Sequence, residues 1–589
     1  MDIQFNPAVT LDRLLSAAAA EVEGLGADFD AQLRPADPRF GDYQANGVLP
    51  WAKRQGVNPR QLATALLDAL NARNPDLGDW VETSIAGPGF INFKLLPAFQ
   101  LAWLKQYRDQ ASLRAGAAGK LSGRKVVVDF SSPNTAKEMH VGHIRSTVIG
   151  EAISRLLEFS GAEVIRDNHI GDWGTQFGML IWAIKDSGCD LDNPGPNALA
   201  ELEALYKKGN ARYKESPEAA DQIRAELVKL QRGDPESDRI WKRITEISWQ
   251  AFQVIYDALD IQFDLVLGES HYRKQVDGIY QDLTETGLAQ EDQGALVVFH
   301  PEHKRFAKQP FIVRKADGAS NYASTDLATV RYRTDELKAD EVIYVVDSRQ
   351  SDHFEQLFLT VAKYYAAKGW KAPSMQHVSF GTVLGENGKP IKTKEGGSVK
   401  LKDLMQEAIE RSFAVVTEKN PDLPEDERRK IAEAVGLGAI RYIDLSQNRT
   451  SDYIFSWERM LSFEGNTAPY LLYAVARIHS ILRKAGIQPD QLDELPQGAE
   501  LESDGEKELA RKLVLFPATL DQTLSDLRPH FLGGYLFELA GVFSSFYTAN
   551  KVLVDDPAVR DRRLMLCQRT LRVLECGLHL LGLKTLERM

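Results

Sequence analysis

A chain of 589 residues is longer than one hydrophobic core organises, so about two to four domains are expected. Its apolar content of 43% and charged content of 26% exclude a disordered chain on composition. The formal net charge of −12 weighs against a nucleic-acid partner in bulk, although phosphate contact needs only a local patch of Lys and Arg.

The N-terminus, MDIQFNPAVTLDRLL, has acids early and no basic stretch ahead of an apolar one, so it does not read as a signal peptide. There is no run of about eighteen apolar residues, and no membrane span is expected. Cys189, Cys567 and Cys576 form neither a disulfide framework nor a CxxC zinc pattern, which makes the cytoplasm the default address. Residues 1–115 mix helical patterns, as over 59–70, with a strand-like GPGFINFKL at 87–95. The Gly- and Ala-rich residues 115–123 read as a linker. KVVVDF at 125–130 is a β-branched run of buried-strand length, followed by SSPN and a helix expected over about 141–158. Further strands are expected at 164–166, 296–300, 342–346 and 377–380, with helices such as 353–367 between them. That alternation predicts a parallel, helix-covered sheet. A charged, helix-rich insertion interrupts it at about 196–265. From about residue 402 strand signals vanish, and Leu564, Cys567, Leu571, Leu574, Leu578 and Leu581 form a one-sided stripe that reads as core.

The stretch SSPNTAKEMHVGHIR (131–145) sets His140 and His143 around Gly142. Such a pair fits a metal site, a proton relay, a phosphate clamp or a structural role. Zinc catalysis wants a third protein ligand and usually a Glu base, and no such pattern lies nearby. A lone histidine is most often structural, but this pair follows a strand and a Pro-Asn turn at the start of a helix. In open parallel sheets ligands bind beyond the carboxyl ends of strands. A helix N-terminus there offers free N–H groups to phosphate, and Gly142 lets a planar group approach the backbone. The stretch reads as a nucleotide site, with no P-loop or GxGxxG in this position.

The strand, SSPN and HVGH together resemble the HIGH signature of class I aminoacyl-tRNA synthetases. The longer SSPNTAKEMHVGHIRST, with NHIGDWGTQFG at 168–178, is similar to the bacterial arginyl-tRNA synthetase family. GDYQANG, GPGFINF, NYASTDLA at 321–328, EGNTAPYLLYAVAR at 464–477 and the terminal ERM extend the likeness over essentially the whole chain. The resemblance implies a multidomain α/β protein. A tRNA-elbow-binding α+β domain spans 1–115, a Rossmann-like class I catalytic domain 122–402, and an all-α anticodon-binding bundle 403–589. It implies ligation of L-arginine to tRNA(Arg) through an arginyl-adenylate. ATP with Mg2+ is the co-substrate, with no zinc or organic cofactor and no membrane, and the expected state is a monomer.

Site residues follow from the same likeness. His140 and His143 stabilise the α-phosphate region, and Gly142 admits the nucleotide. Asp129 and Asp326 face the substrate guanidinium with Tyr322 beside them, a chemistry that suits a planar fork of donors. Asn134 and Gln350 hold the α-amino and carboxylate end. GKPIKTKEGGSVKL (388–401) takes the place of a KMSKS loop but has Pro390 where its first Lys would stand. Lys137 is expected to compensate, and Lys392 and Lys394 are candidate phosphate contacts. For RNA the candidates are Phe90 and Asn92 at the elbow, and Tyr473, Arg477, Tyr547 and Met589 at the anticodon. Stacked aromatics beside basic residues are a common way to read single-stranded RNA. The rival readings are another class I synthetase, of cysteinyl or glutaminyl type, and a non-catalytic tRNA-binding paralogue.

Overall fold

In the computed structural model, residues 2–26, 28–37, 39–316, 318–391, 399–496 and 499–589 are described. Near the N-terminus, β1 (Leu33–Pro35), β2 (Tyr43–Ala45), β3 (Val81–Ala86) and β4 (Phe90–Leu95) pair in the order β1-β2-β4-β3. All pairs in that sheet are antiparallel. Its helices are Pro7–Ala19, Val48–Gln55 and Pro59–Arg73, and Asn58 caps the last of these by accepting from Arg60 and Gln61 N–H groups.

The KVVVD run forms β5 (Lys125–Asp129), a central strand of a parallel sheet with β6 (Glu163–Asp167), β10 (Glu341–Tyr344) and β11 (Ser374–His377), in the order β11-β10-β5-β6. Its two faces are both buried, as a parallel sheet requires. Val126 and Val128 join the core cluster shared with the helix Val141–Phe159, while Val127 joins Leu283, Val330 and Leu357 on the other side. The chain therefore has an N-terminal antiparallel-sheet part, a central parallel-sheet part and a C-terminal helical part.

Three expectations about strands change. The segment 296–300 does form a strand, but over Ala295–Val298, as β8 of a separate antiparallel sheet between β7 (Ala289–Asp292) and β9 (Phe311–Arg314). The reason is the two-residue turn Gln293-Gly294, both with positive φ (50° and 82°), which closes a tight hairpin and leaves no crossover. The strand expected over 377–380 ends at His377, and Phe380 makes only an isolated bridge with Asp347. Strands also do not vanish after residue 402: β13 (Tyr453–Ile454) pairs in parallel with β12 (Val383–Leu384). Two residues are too short to show a period in the sequence.

The stretch 196–265 holds the helices Ala198–Tyr213, Pro217–Gln231 and Pro235–Ala258. In the helix Pro557–Leu580 and the Leu581 that follows, all six stripe residues are fully buried.

Candidate active site

After Asp129 the chain turns through Ser131 (φ 71°), Ser132 (φ 46°) and Ala136 (φ 58°), left-handed conformations that cost a non-glycine residue about 1–3 kcal/mol each. The surroundings over-determine them. Ser131 N–H donates to Ser146 Oγ (2.8 Å), Ser132 N–H to Asn168 Oδ1 (3.1 Å) and Ala136 N–H to Ser248 Oγ (2.9 Å). Tyr256 Oη lies 2.8 Å from Ser131 Oγ, so the helix Pro235–Ala258 braces the loop twice. Thr135 N–H donates to Gly171 O and Gly171 N–H to Pro133 O, both at 3.1 Å. A Cβ on Gly171 would stand 2.1 Å from Asn134 Oδ1, so a side chain there would push the Asn134 amide aside. Asn134 is left exposed at the lip.

His140 is the N-cap of the helix Val141–Phe159, and its Nδ1 accepts the Gly142 N–H at 3.0 Å. His143 Nδ1 accepts the His140 N–H at 3.0 Å, which completes a capping box made of two imidazoles. With both Nδ1 atoms accepting, the neutral rings carry their protons on Nε2. Burial drives the His143 ring down to about 3, and burial together with the Arg349 charge lowers His140. Both rings are thus neutral donors at physiological pH. The planar group seated on Gly142 is the His140 ring itself, since a Cβ there would meet its Cε1 at 2.8 Å. Lys137 is exposed, with Nζ 4.9 Å from the centroid of the Tyr206 ring.

The loop that stands for KMSKS is tied at both described ends. Gly385 N–H donates to Lys389 O (2.8 Å), while Val141 N–H donates to Val399 O and Leu401 N–H to Met139 O, both at 2.9 Å. Its far end therefore pairs directly with the histidine segment. Lys392 and Lys394 lie outside the described residues.

Asp326 and Tyr322 sit on the helix Tyr322–Asp335, whose Asn321–Ser324 capping box docks on β9 through Asn321 Nδ2 donating to Ile312 O (2.7 Å). Asp326 Oδ2 lies 2.5 Å from His353 Nε2. Gln350 and His353 straddle the start of the helix Ser351–Lys368, and beside them Arg349 grips Asp347 at 2.8 and 3.0 Å. Asp129 is a correction. It was expected against a substrate guanidinium, yet its Oδ2 accepts from the protein's own Arg333 at 2.6 Å and its Oδ1 from Ser132 Oγ at 3.0 Å. Asp129 and Asp167 are register partners on β5 and β6, and the fully buried Arg333 guanidinium bridges them. Two desolvated carboxylates side by side need such a cation.

Two pocket residues escaped the sequence reading. Glu269 lies far from every motif, and its neighbour Ser270 donates N–H (2.9 Å) and Oγ–H (2.6 Å) bonds to Asp172. Burial first, then the charges of Asp326 and Asp172, push the Glu269 carboxyl up to about 8. His353 is the other, with no local signature beyond following Gln350. The cluster of Glu269, Asp326 and Tyr322 can receive a cationic, donor-rich group at the carboxyl ends of the parallel strands.

The RNA candidates lie elsewhere. Asn92 is buried, accepts from Gln44 Nε2 (2.7 Å) and lines a cleft of about 410 Å3 with Arg39, Phe40, Lys94 and Arg511, whereas Phe90 is half-buried against Gly87. Tyr473 is exposed with the Arg477 guanidinium 4.8 Å from its ring centroid. Tyr547 is exposed and stacks on Phe543, and Met589 is partly buried against the core.

Comparison with known proteins agrees with this layout. Residues 111–457 match the family described as tRNA synthetases class I (R), catalytic domain; 471–589 match the DALR anticodon binding domain; 10–95 match the arginyl tRNA synthetase N-terminal domain. An arginine–tRNA ligase of Escherichia coli is 46% identical over 573 residues, covering 96% of this chain and 97% of the relative. The arginyl-tRNA synthetase structure from Plasmodium falciparum superposes with a TM-score of 0.82 at 30% identity, covering 100% of both chains. That from Thermus thermophilus gives 0.81 at 27% identity, covering 99% of this chain and 100% of its own. The chain belongs to the arginyl-tRNA synthetase family of class I aminoacyl-tRNA synthetases.

Proposed function

We propose that this chain acts as an arginine–tRNA ligase whose substrates are L-arginine, ATP and tRNA(Arg), with Mg2+ entering on the nucleotide. A carboxylate oxygen of arginine attacks the α-phosphorus of ATP, pyrophosphate leaves, and arginyl-adenylate forms. A ribose hydroxyl of the terminal adenosine, the 2′ in class I, then attacks the carbonyl carbon, loses its proton and expels AMP. No residue is acylated, so the protein positions the reactants and stabilises charge.

In this reading the Nε2–H groups of His140 and His143 donate to oxygens around the α-phosphate. Their Nδ1 atoms are held by backbone N–H groups, so the donors are oriented before substrate arrives. Asp326 and Glu269 receive the guanidinium with Tyr322 alongside, and Asn134 and Gln350 hold the α-amino and carboxylate end. Asp129 positions Arg333 beneath the pocket. Lys137, placed on the Tyr206 face, swings toward the phosphates, and Lys392 and Lys394 are further phosphate contacts. Phe90 and Asn92 meet the tRNA elbow, and Tyr473, Arg477, Tyr547 and Met589 meet the anticodon. The protein works as a monomer in the cytoplasm.

The observation that carries the reading is the pair of imidazoles of His140 and His143, oriented by backbone N–H groups at the start of the helix that follows β5. Arginine-dependent ATP–pyrophosphate exchange tests it, with and without tRNA. Exchange is expected with tRNA and near background without it. Exchange driven by a different amino acid contradicts the reading.

A further inference from the structure

The contact between His353 and Asp326 raises a question of geometry. A lysine ammonium is a compact point charge that any carboxylate rotation accommodates, whereas a guanidinium is a rigid planar fork. A fork gains two parallel hydrogen bonds only from a carboxylate held in its plane. Among the described residues Asp326 has one such side-chain holder. His353 Nε2 lies 2.5 Å from Asp326 Oδ2, which leaves Oδ1 open to a ligand and restrains the rotation of the group.

His353 is itself held. Its ring packs against Phe311 (centroids 5.7 Å) and Phe354 (5.5 Å), one from β9 and one from its own helix. Phe354 in turn packs on Tyr344 of β10 and on His377 of β11. An aromatic chain thus fixes His353 to the parallel sheet, and His353 fixes Asp326. The pair is partly open to solvent, with the two side chains 26% and 19% exposed, so it sits at the pocket wall and not in the core.

We propose that His353 is a specificity-determining positioning residue: by hydrogen-bonding Asp326 Oδ2 it presents the carboxylate in the plane a guanidinium fork requires. It touches no reacting atom. This inference rests on the arginine-binding role proposed for Asp326.

The test compares His353→Phe, which keeps the ring packing and removes the donor, with His353→Gln, whose Nε2 reaches a similar position. Inhibition constants for argininamide and lysinamide, competing against L-arginine in arginylation, read fork and point-charge recognition separately. His353→Phe is expected to weaken argininamide by roughly tenfold or more and lysinamide by less than about threefold, with KM for ATP unchanged. His353→Gln is expected to recover most of the argininamide affinity. If both inhibitors weaken equally, if neither weakens, or if His353→Gln behaves as His353→Phe does, the inference is overturned. Should His353→Phe fail to fold, His353→Ala takes its place under the same criteria. Wild-type arginylation is the control: its absence would overturn the proposed function itself, whereas wild-type arginylation with unaltered variants overturns only the role of His353.

Discussion

At neutral pH Glu269 keeps its proton, because burial and the neighbouring Asp326 and Asp172 push its carboxyl up to about 8. A guanidinium binds the ionised carboxylate, so arginine binding must release that proton. The affinity for arginine is therefore expected to rise with pH, by up to about tenfold per unit below 8, and to level off above it. Binding calorimetry in buffers of different ionisation enthalpy checks both the release and the slope, and Glu269→Gln should abolish both. Asp326→Asn should raise KM for arginine by about a hundredfold or more while the circular dichroism spectrum stays unchanged, since the neutral amide offers half the acceptors and no charge. Near-normal arginine kinetics would remove Asp326 from the pocket. At this scale the sequence was informative where chemistry is local. The His140–Gly142–His143 cap closes within four residues and its spacing can be read directly. Glu269 and His353 could not be read, because each matters only through a partner brought in by the fold. Asp129 was misread for the same reason, its true partner Arg333 lying 204 residues along the chain.

The helix that carries the histidines is also the element that meets the C-terminal half. Arg145, two residues after His143, is fully buried with Nε 2.8 Å from Asp444 Oδ1 on the helix Glu425–Leu445. Its Nη atoms donate to Ser451 O (3.2 Å) and Arg449 O (3.3 Å), just before β13. Burial raises the Asp444 carboxyl to about 6, with Arg145 pulling it back down. Arg145→Met leaves that carboxylate buried without a cation and is expected to cost about 3–5 kcal/mol. A carboxyl whose folded pKa is raised contributes its stability at low pH and loses it as pH climbs through that value. The loss should therefore be smaller at pH 5 than at pH 8, by urea unfolding at both. An equal loss at the two pH values would mean that packing, and not charge, dominates. Among elements, β5, β6 and β10 were legible from their β-branched runs. β8 was legible as a strand but not as part of a separate antiparallel sheet, because a Gln-Gly turn decides between hairpin and crossover, and β13 was too short to leave a pattern.

Across the whole molecule the two ends of the chain are packed together. Arg569 Nε donates to Leu104 O (2.8 Å), Gln110 Nε2 to Arg572 O (2.8 Å), and Arg511 pairs with the buried Asp42 just before β2. Arg511 also lines the cleft that holds Asn92, so one wall of the proposed elbow site comes from the C-terminal domain. A chain of net charge −12 can then bind an anionic RNA through separated basic patches. Tyr473→Ala is expected to raise KM for tRNA by about tenfold, as loss of one stacked base does, and to leave KM for arginine unchanged. Arg477→Ala should also lower the salt dependence of tRNA binding by about one counterion. Filter binding across a salt series checks this, and an unchanged slope would place Arg477 outside the RNA contact. The parallel sheet and the helical tail were visible in the sequence through periodicity, but the docking of the N-terminal sheet on the C-terminal helices was not, since side chains hundreds of residues apart make it. The decisive experiment is aminoacylation of total tRNA by the purified protein with each of the standard amino acids in turn. Only arginine is expected to be attached; attachment of another amino acid, or of none, would show that the protein is not an arginine–tRNA ligase.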